Sequence, residues 1–490
     1  MAEASRHVNL AWPCRQVARA GYRTFRLCLQ PKSAGAQAGG LFAAPFPGGR
    51  VLLASLIGVA MLLVTPRIAW PESTPGASPE KPNDSVVKFD FDDPPDTKNQ
   101  LTRHLTFGGK INLNFDYENN YDLDRSETDD LATLEPELEI AFSYDPASWF
   151  RGFLDLEFKK EGQIEGPEGR KSSDAELIVK EAFVNVREFL PGLSLTLGRQ
   201  EFKDEREWLY DEELDGVRLF FRGVGFGVEA SVSREALVGT DVLNERSNRE
   251  INNYFLLGRY ALGEDSEVSS YLFFRDDRTS DKEDLIFLGL RSMGELTSDI
   301  DYWVEAAHVR GSEDGTDISG FGFDVGATYV FDDTPLEPSL TLGFAFGTGD
   351  DSDGGTDRNF RQTDLQDNND RFNGVTGFKY YGEVLDPELS NLFILTAGFG
   401  IRPTRRSSID LIYHHYSQHQ AVDELRDVSI DADPDGRDRT IGNALDLIVG
   451  YREIENFDVE AIFGLFAPGA AFSNDADTAY FVGIELEFEF

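Results

Sequence analysis

Acidic residues recur at every second position in several short segments of this chain. In a β-strand, alternate side chains point to the same face of the sheet, so such carboxylates share one face. Rings of carboxylates in a water-filled pore favour the passage of cations. The acidic residues on the polar faces of such segments include Glu135, Glu137, Glu139, Asp155, Glu157, Asp301, Glu305, Asp324, Glu485 and Glu487.

Two interpretations of these carboxylates stay open. In the first, they line a pore that prefers cations, or one suited to neutral or basic solutes. In the second, they only hydrate a lumen and are paired with nearby arginines. Arg259, Arg275 and Arg291 lie in similar segments and are candidates for such partners. From the acids, we predict that Glu139, Asp155, Glu157, Glu305 and Asp324 line the pore.

Arg199 follows Gly198 in the segment LTLGRQEF, residues 195–202. Simple alternation from Leu195 and Leu197 would place Arg199 on the apolar face of the strand. A β-bulge at Gly198 would turn it to the polar face instead. We predict the inward orientation, which makes Arg199 a pore-lining residue. The alternative is an outward Arg199 that contacts lipid headgroups near a rim.

Four aspartates surround two glycines in the segment 349–371: Asp350, Asp351, Asp353 and Asp357. Clustered carboxylates beside a glycine turn are typical oxygen ligands of Ca²⁺. The spacing is only loosely that of a calcium loop, and the alternative is a solvated acidic surface loop. No other cofactor is predicted.

The sequence does not favour an enzyme. His414, His415 and His419 lie at the end of one segment, but a zinc site would need further ligands in the right geometry. A membrane lipase or protease needs a serine, a histidine and an acid brought together. The chain has no G-x-S-x-G motif around such a serine.

The elements that carry these residues are predicted to be β-strands. From about residue 106 no stretch has a convincing helical period, and apolar residues alternate with polar ones, as Ile111 and Leu113 alternate with Asn112 and Asn114. Eighteen such segments follow one another, and their connections alternate strictly between short and long. This pattern predicts an all-β fold, an 18-stranded antiparallel transmembrane β-barrel of the bacterial outer membrane over residues 106–490.

The last segment supports the same fold. Tyr480, Val482, Ile484, Leu486, Phe488 and Phe490 form one face, and Glu485, Glu487 and Glu489 form the other. An apolar face in lipid requires a closed sheet, because lipid offers no hydrogen-bond partners to a sheet edge. A soluble β-sandwich or propeller is the alternative. It would hardly carry so many acids on its second face together with eight acidic loops.

The start of the chain predicts an export signal. Residues 1–70 hold eight Lys or Arg and one Glu, and the apolar run 51–64 follows Arg50. A basic flank before an apolar run too short to span a bilayer is typical of a signal peptide, with a membrane-anchoring helix as the alternative. Residues 71–105 are rich in Pro, Ser and acids, which predicts a flexible linker.

Composition excludes two classes of function. The chain has a formal net charge of −42, which argues against binding nucleic acid, since phosphate binding needs basic patches. Cys14 and Cys28 both precede the apolar run, so cleavage there would leave a mature protein without disulfides or thiolate sites.

Several motifs in the second half resemble the alginate-export porins of the outer membrane. They are FRQTDL at 360–365, YGEVLDPELSNL at 381–392, IDLIYHHYSQ at 409–418, IGNALDLIVGY at 441–451 and GLFAPG at 464–469, together with LTLGRQEF at 195–202. The resemblance covers residues 106–490. It implies an 18-stranded barrel that exports an anionic polysaccharide past a basic lining.

The chain departs from this family in two ways. Lys110 and Lys180 stand where the family has basic lumen residues, and they complete our set of predicted pore-lining residues. At five other positions where the family has basic residues, this chain does not: they are Glu201, Tyr380, Asp386, Ile462 and Ala467. The turn before the penultimate strand, which is long in the family and helps to plug the pore, is only REIEN here. The departures therefore predict an acidic, less plugged pore.

We therefore expect a passive channel for a hydrophilic polysaccharide or oligosaccharide. The alternatives are a cation-preferring porin for small solutes, and a plugged barrel that serves as a surface scaffold and binds Ca²⁺. The expected partners are outer-membrane lipid and lipopolysaccharide, the barrel-assembly machinery, periplasmic scaffold proteins of a secretion system and the polysaccharide itself. The resemblance implies a monomer.

Overall fold

The computed structural model describes residues 87–490, except 93–96, 127–129, 167–170, 174, 236, 238, 244–249, 264, 280–281 and 352–353. The predicted signal region 1–70, with its apolar run 51–64, lies outside the described residues, as does the first part of the predicted linker. No helix among the described residues is long and apolar enough to cross a bilayer.

Eighteen long strands form one antiparallel sheet in which each strand pairs with its neighbours along the chain. They are β1 Leu105–Asn119, β2 Leu131–Ala147, β3 Phe150–Lys159, β4 Glu176–Leu190, β5 Leu193–Lys203, β6 Asp211–Gly223, β7 Phe226–Arg234, β8 Ile251–Ala261, β9 Ser266–Asp277, β10 Glu283–Thr297, β11 Ile300–Glu313, β12 Thr316–Val330, β13 Ser339–Gly347, β14 Leu392–Thr404, β15 Ser407–Gln418, β16 Thr440–Ile454, β17 Phe457–Pro468 and β18 Ala479–Glu489.

The sheet closes on itself, because β1 pairs with β18 from Lys110↔Glu489 to Asn119↔Tyr480. Closure removes the unpaired edges that a membrane cannot solvate. The predicted 18-stranded barrel is confirmed. Short elements accompany it: a 3-10 turn at Asp90–Asp92 and strands Asn99–Thr102, Gly162–Glu165, Lys171–Ser172, Asn369–Asp370 and Phe378–Lys379.

The alternation of apolar and polar residues sets which face meets lipid. On β10, Ile286, Leu288 and Leu290 are exposed on the outside, whereas Phe287 and Arg291 are buried inside the barrel. The same period of two continues along the other strands, so apolar side chains cover the outer wall. The inner wall takes most of the polar residues, as the sequence predicts, together with apolar ones such as Phe287 where lumenal segments cover it.

The connections differ in length between the two ends of the barrel. The end that holds both the start of β1 and the end of β18 has tight turns such as 148–149, 191–192 and 405–406, and it is the periplasmic end by the usual rule for such barrels. The other end has the long loops. The predicted strict alternation is wrong at one place there, because only Asp314 and Gly315, both with positive φ, join β11 to β12.

Candidate functional site

Two segments fold into the lumen of the barrel and divide it. We call residues 200–214 the internal hairpin and residues 348–391 the inner loop. Together they pack against the inner wall of β8–β15 and the adjacent parts of β16 and β17, and they bury large side chains there, including Trp208, Phe360 and Leu385. We call this filled side the plugged half. The inner face of β1–β4 and β18, with the periplasmic ends of β16 and β17, is the channel face.

The internal hairpin leaves the wall because its strands lose their neighbours. Pairing of β5 with β4 ends at Arg199↔Ala182, and pairing of β6 with β7 ends at Asp215↔Arg234. Beyond these residues β5 and β6 pair only with each other. Gly198 lies directly before this point with φ of +126°, and a Cβ there would lie 2.2 Å from the carbonyl oxygen of Ala182. Only glycine fits such a backbone without strain.

Arg206 anchors the tip of the hairpin to the opposite wall. Its guanidinium donates to Asp324 on β12 at 3.1 Å and to Asp370 of the inner loop at 2.9 Å. It also lies over the rings of Trp303 and Tyr380, with its Cζ 4.4 and 4.2 Å from their centroids. Ion pairs between two aromatic faces hold the hairpin, the loop and the wall together.

A second buried network lies beside this anchor. Arg291 on β10 pairs with Asp204 of the hairpin at 2.7 Å and with Glu305 on β11 at 2.5 Å. The Tyr271 hydroxyl donates to the other Glu305 oxygen at 2.9 Å. Glu305 and Asp324 therefore face the lumen as their spacing predicts. Both are covered by the plug, so they do not line an open path.

The inner loop overturns the expectation of a less plugged pore. Val384, Leu385 and Leu389 have no exposed surface. The Lys379 ammonium is enclosed with Asp367 and lies 3.5 Å from Asp386. The REIEN turn is indeed short, as the sequence shows, but plugging comes from this loop on the opposite side of the membrane. The predicted extracellular loop instead folds inward, because its aromatic and aliphatic residues find partners in the lumen.

Burial perturbs the acids of the inner loop. It raises the pKa of Glu383 to about 8, with a further contribution from the nearby Asp446 charge. Burial likewise raises the pKa of Glu388 to about 7, although Arg426 opposes the shift with an ion pair at 2.7 Å. Asp386 is raised to a pKa of about 6, opposed by Lys379. The packed loop therefore favours protonated carboxyls at these positions.

The channel face carries a group of carboxylates with few cations, which we call the upper cluster. It consists of Glu137, Glu139, Asp155, Glu157 and Glu181, with the ammonium groups of Lys159 and Lys180. Lys180 lies 2.9 Å from Glu139 and 4.0 Å from Glu157, and Lys159 lies 3.2 Å from Glu157. The structure thus brings four predicted pore-lining residues, Lys180, Glu139, Asp155 and Glu157, to one place.

A lower cluster continues the channel face toward the periplasm. A polar cavity of about 350 Å³ there is lined by Lys110, Arg452, Asp458, Glu460, Glu485, Glu487 and Glu489. Lys110 lies 3.6 Å from Glu487, and Arg452 lies 3.2 Å from Asp458 and 2.7 Å from Glu460. Lys110 is also the cross-strand neighbour of Glu139, so the two clusters are contiguous.

The structure does not place Arg199 over the channel. The β5–β6 register runs without a shift through Gly198, so Arg199 keeps the parity of the outward Leu197. Its guanidinium lies in the wall, 2.8 Å from Asp215 and 3.2 Å from the carbonyl oxygen of Val179. A cavity of about 670 Å³ beside it is lined by outward residues such as Val217 and Val232. Gly198 bends the hairpin inward rather than turning one side chain.

Among the described residues, Asp350, Asp351 and Asp357 do not form a group of metal ligands. Asp350 accepts a hydrogen bond from the backbone N–H of Arg358, and Asp357 pairs with Arg361 at 2.6 Å. Asp351 is exposed, and Asp353 lies outside the described residues. The three histidines are also apart. His414 is buried 3.4 Å from Asp446, whereas His415 bonds Asn443 and His419 accepts from Gly349.

Sequence reasoning missed the residues that form the plug. The EREWLY stretch combines charges with Trp208 in what alternation predicts to be an ordinary connection. Tyr380 and Asp386, noted only as departures from a basic lining, belong to the inner loop. Residues 87–92 were expected to be a flexible linker, yet Val87 and Phe89 are buried against Phe220 inside the periplasmic end of the barrel.

Comparison with known proteins gives a consistent result. The family model described as alginate export matches residues 103–480. The alginate production protein AlgE of Pseudomonas aeruginosa is 22% identical over 367 residues, which cover 64% of this chain and 74% of that protein.

Similar folds occur in solved outer-membrane barrels. Pseudomonas aeruginosa OccK11 (OpdR) aligns with a TM-score of 0.54 at 13% identity, covering 81% of this chain and 98% of that one. Acinetobacter baumannii OccAB3 aligns with a TM-score of 0.51 at 10% identity, covering 78% of this chain and 99% of that one. At such identities the likeness concerns the fold alone.

Proposed function

Because the chain belongs to the alginate export family, we propose that it passively moves a hydrophilic polysaccharide or oligosaccharide along its channel face. The family and the barrel fold are those of an outer-membrane channel rather than of an enzyme. The finer statement, that the cargo is a saccharide chain, is supported by the likeness to AlgE.

One observation carries the proposal: the plug covers only part of the inner wall. The hairpin and the loop pack against β8–β15 and the adjacent parts of β16 and β17, whereas the carboxylates and lysines of the two clusters lie on the other wall and run from the middle of the barrel to its periplasmic end. The partly exposed members of this strip, such as Lys110, Glu139 and Lys180, suit a hydroxyl-rich chain, which exchanges water for these groups without large cost.

The test is conductance of the folded barrel in planar bilayers with neutral oligosaccharides added on one side. We expect steady ion conductance and transient, length-dependent block as chains enter. The matched control is a barrel in which the channel face is narrowed, Gly483→Trp on β18, because position 483 pairs with Asp116 on the channel face. Block that is absent in the parent barrel, or unchanged in Gly483→Trp, would contradict the proposal.

A second candidate is a cation-preferring porin for small solutes. The observation that favours it is the excess of carboxylates over cations in both clusters, because acidic rings lower the barrier for cations. It predicts a reversal potential that favours cations together with no block by saccharides. The same bilayer recordings therefore separate the two candidates.

The remaining expectations are part of the proposal. We propose that the barrel is a monomer in contact with lipopolysaccharide, and that it works beside periplasmic scaffold proteins. Calcium binding by the acidic segment 350–357 stays a prediction. Its two described inner carboxylates, Asp350 and Asp357, are already engaged by backbone N–H groups and arginines.

A further inference from the structure

The balance of charge on the channel face indicates what kind of chain it accepts. In the upper cluster five carboxylates face two ammonium groups, those of Lys159 and Lys180. In the lower cluster five carboxylates face Lys110 and Arg452, and the ammonium group of Lys98 pairs with one of them, Glu489. A uronic acid polymer entering this strip would meet like charges at both levels, which raises its barrier.

Several of these carboxylates are enclosed without full hydrogen bonding. Asp155 is 6% exposed, and its Oδ1 has no hydrogen-bond partner among the described residues. Glu157 is 1% exposed and is paired with the ammonium groups of Lys159 at 3.2 Å and Lys180 at 4.0 Å. One oxygen of Glu137, like Oδ1 of Asp155, has no hydrogen-bond partner in the described part of the chain. Enclosed carboxylates of this kind are costly unless a cation or donor is supplied.

The cluster already shows the spacing that an ammonium group needs. The Lys180 nitrogen lies between Glu139 and Glu157, which are direct cross-strand neighbours. An ammonium group has three donors and no acceptor, so it suits a site that offers only carboxylate oxygens. Asp155 and Glu181, which face each other across β3 and β4, form a further carboxylate pair beside it.

We propose that the cargo of this channel is an amino-sugar chain whose free amino groups are protonated, and that the upper cluster binds those ammonium groups in passing. This inference rests on the proposed function, since it names the chemical class of the saccharide. Because Lys110 joins the upper and lower clusters, an ammonium-bearing chain would meet carboxylates continuously from the middle of the barrel to the periplasmic mouth.

The experiment compares three oligosaccharides of equal length in planar bilayers at pH 6: glucosamine oligomers, the same oligomers fully N-acetylated, and uronic acid oligomers. For the parent barrel we expect glucosamine oligomers to block with a Kd at least about tenfold lower than N-acetylated ones, which corresponds to about 1.4 kcal/mol. Uronic acid oligomers should block least.

A variant localises the effect. Glu139→Gln with Asp155→Asn and Glu157→Gln keeps side-chain shape and removes three charges. We expect it to bring the two amino-sugar probes within about twofold of each other. The control carries three equal changes on exposed turns, Asp314→Asn, Asp332→Asn and Asp333→Asn, and should keep the preference. Heat-modifiable mobility on gels shows that each variant is folded.

The outcomes distinguish the amino-sugar inference from the proposed function on which it rests. Equal block by glucosamine and N-acetylated oligomers, or a preference for uronic acid oligomers, would overturn the amino-sugar inference and leave the saccharide channel standing. Ion conductance without block by any of the three would overturn the proposed function itself. Because the comparison of probes uses the parent barrel, it decides the inference even where the triple variant does not fold.

Discussion

The two halves of the lumen use charged residues in opposite ways. In the plugged half two central arginines are enclosed by partners: Arg206 lies between Asp324 and Asp370, and Arg291 lies between Asp204 and Glu305. On the channel face carboxylates outnumber cations, and Glu139 and Lys180 keep some contact with water. Both patterns come from the same alternation of residues. What differs is whether a second layer of protein covers the inner wall.

This difference predicts where stability and where selectivity reside. An enclosed ion pair that loses one partner leaves an uncompensated charge, which is strongly destabilising. A carboxylate among like charges beside water costs little to remove, and its removal changes the potential that an incoming solute meets. We therefore expect substitutions in the plugged half to change stability, and substitutions on the channel face to change transport.

The largest effect is expected for Arg206→Ala. It removes two ion pairs and the contacts with Trp303 and Tyr380, so the packing of the plug should weaken by about 3–5 kcal/mol. Urea unfolding followed by tryptophan fluorescence, together with current noise in bilayers, measures this. Arg278→Ala, which removes an exposed ion pair with Asp276, should stay within about 0.5 kcal/mol. Equal urea midpoints for the two variants would contradict the role of Arg206 as the anchor of the hairpin.

A smaller effect is expected at the hinge of the internal hairpin. Gly198→Ala places a Cβ against the Ala182 carbonyl oxygen at a φ of +126°, which should cost about 1–3 kcal/mol. The bend that carries the hairpin into the lumen should then change, and the single-channel conductance should change with it. The control is Gly258→Ala on β8, where the nearest atom is Ser270 Oγ at 4.0 Å. If both variants keep the parent conductance, Gly198 is not the hinge.

Changes in pH should alter the stability of the plug through the carboxyl groups of the inner loop. The pKa of Glu383 is raised to about 8 and that of Glu388 to about 7, whereas a free glutamate has a pKa of about 4.3. The packed loop therefore holds more protons than the detached loop between pH 4.5 and 8. Its stability should fall as the pH rises through this window, by about 1 kcal/mol per pH unit.

Movements of the inner loop, recorded in bilayers as transitions between conductance levels, should accordingly be more frequent at pH 8 than at pH 6. Glu383→Gln, which keeps a neutral side chain at every pH, should flatten this dependence. Glu424→Gln, on an exposed part of another extracellular loop, should leave it unchanged. A rise in gating toward acid in the parent barrel would show that the sign of this linkage is wrong.

The wall of the barrel could be predicted from the sequence, and the plug could not. Lipid imposes one uniform requirement on every strand, so alternation such as that of Ile286, Leu288 and Leu290 recurs and can be recognised. No such period governs Phe360, Arg361 and Tyr380, whose burial depends on a partner surface far away in the chain.

Arg199 shows the limit of the alternation rule within one strand. Gly198 before it does change the backbone, but the glycine bends two paired strands into the lumen instead of shifting one residue. Alternation does place Glu139, Asp155 and Glu157 on one inner face, because they lie on strands that stay in the wall and pair in register across β2 and β3. That they line the pore stays a prediction.

The smallest change in stability is expected on the channel face. Glu487→Gln removes one carboxylate from the lower cluster, where Lys110 lies 3.6 Å away and other acids line the same cavity. Loss of the ion pair with Lys110 is offset by weaker repulsion among the remaining acids. The free energy of unfolding should therefore change by less than about 0.5 kcal/mol. The reversal potential in a salt gradient should nevertheless move toward anions. Asp446→Asn, on β16 and enclosed beside His414, removes the same charge and should do the reverse, lowering stability by about 1–3 kcal/mol without moving the reversal potential. Parallel behaviour of the two variants would mean that the halves of the lumen are not distinct in function.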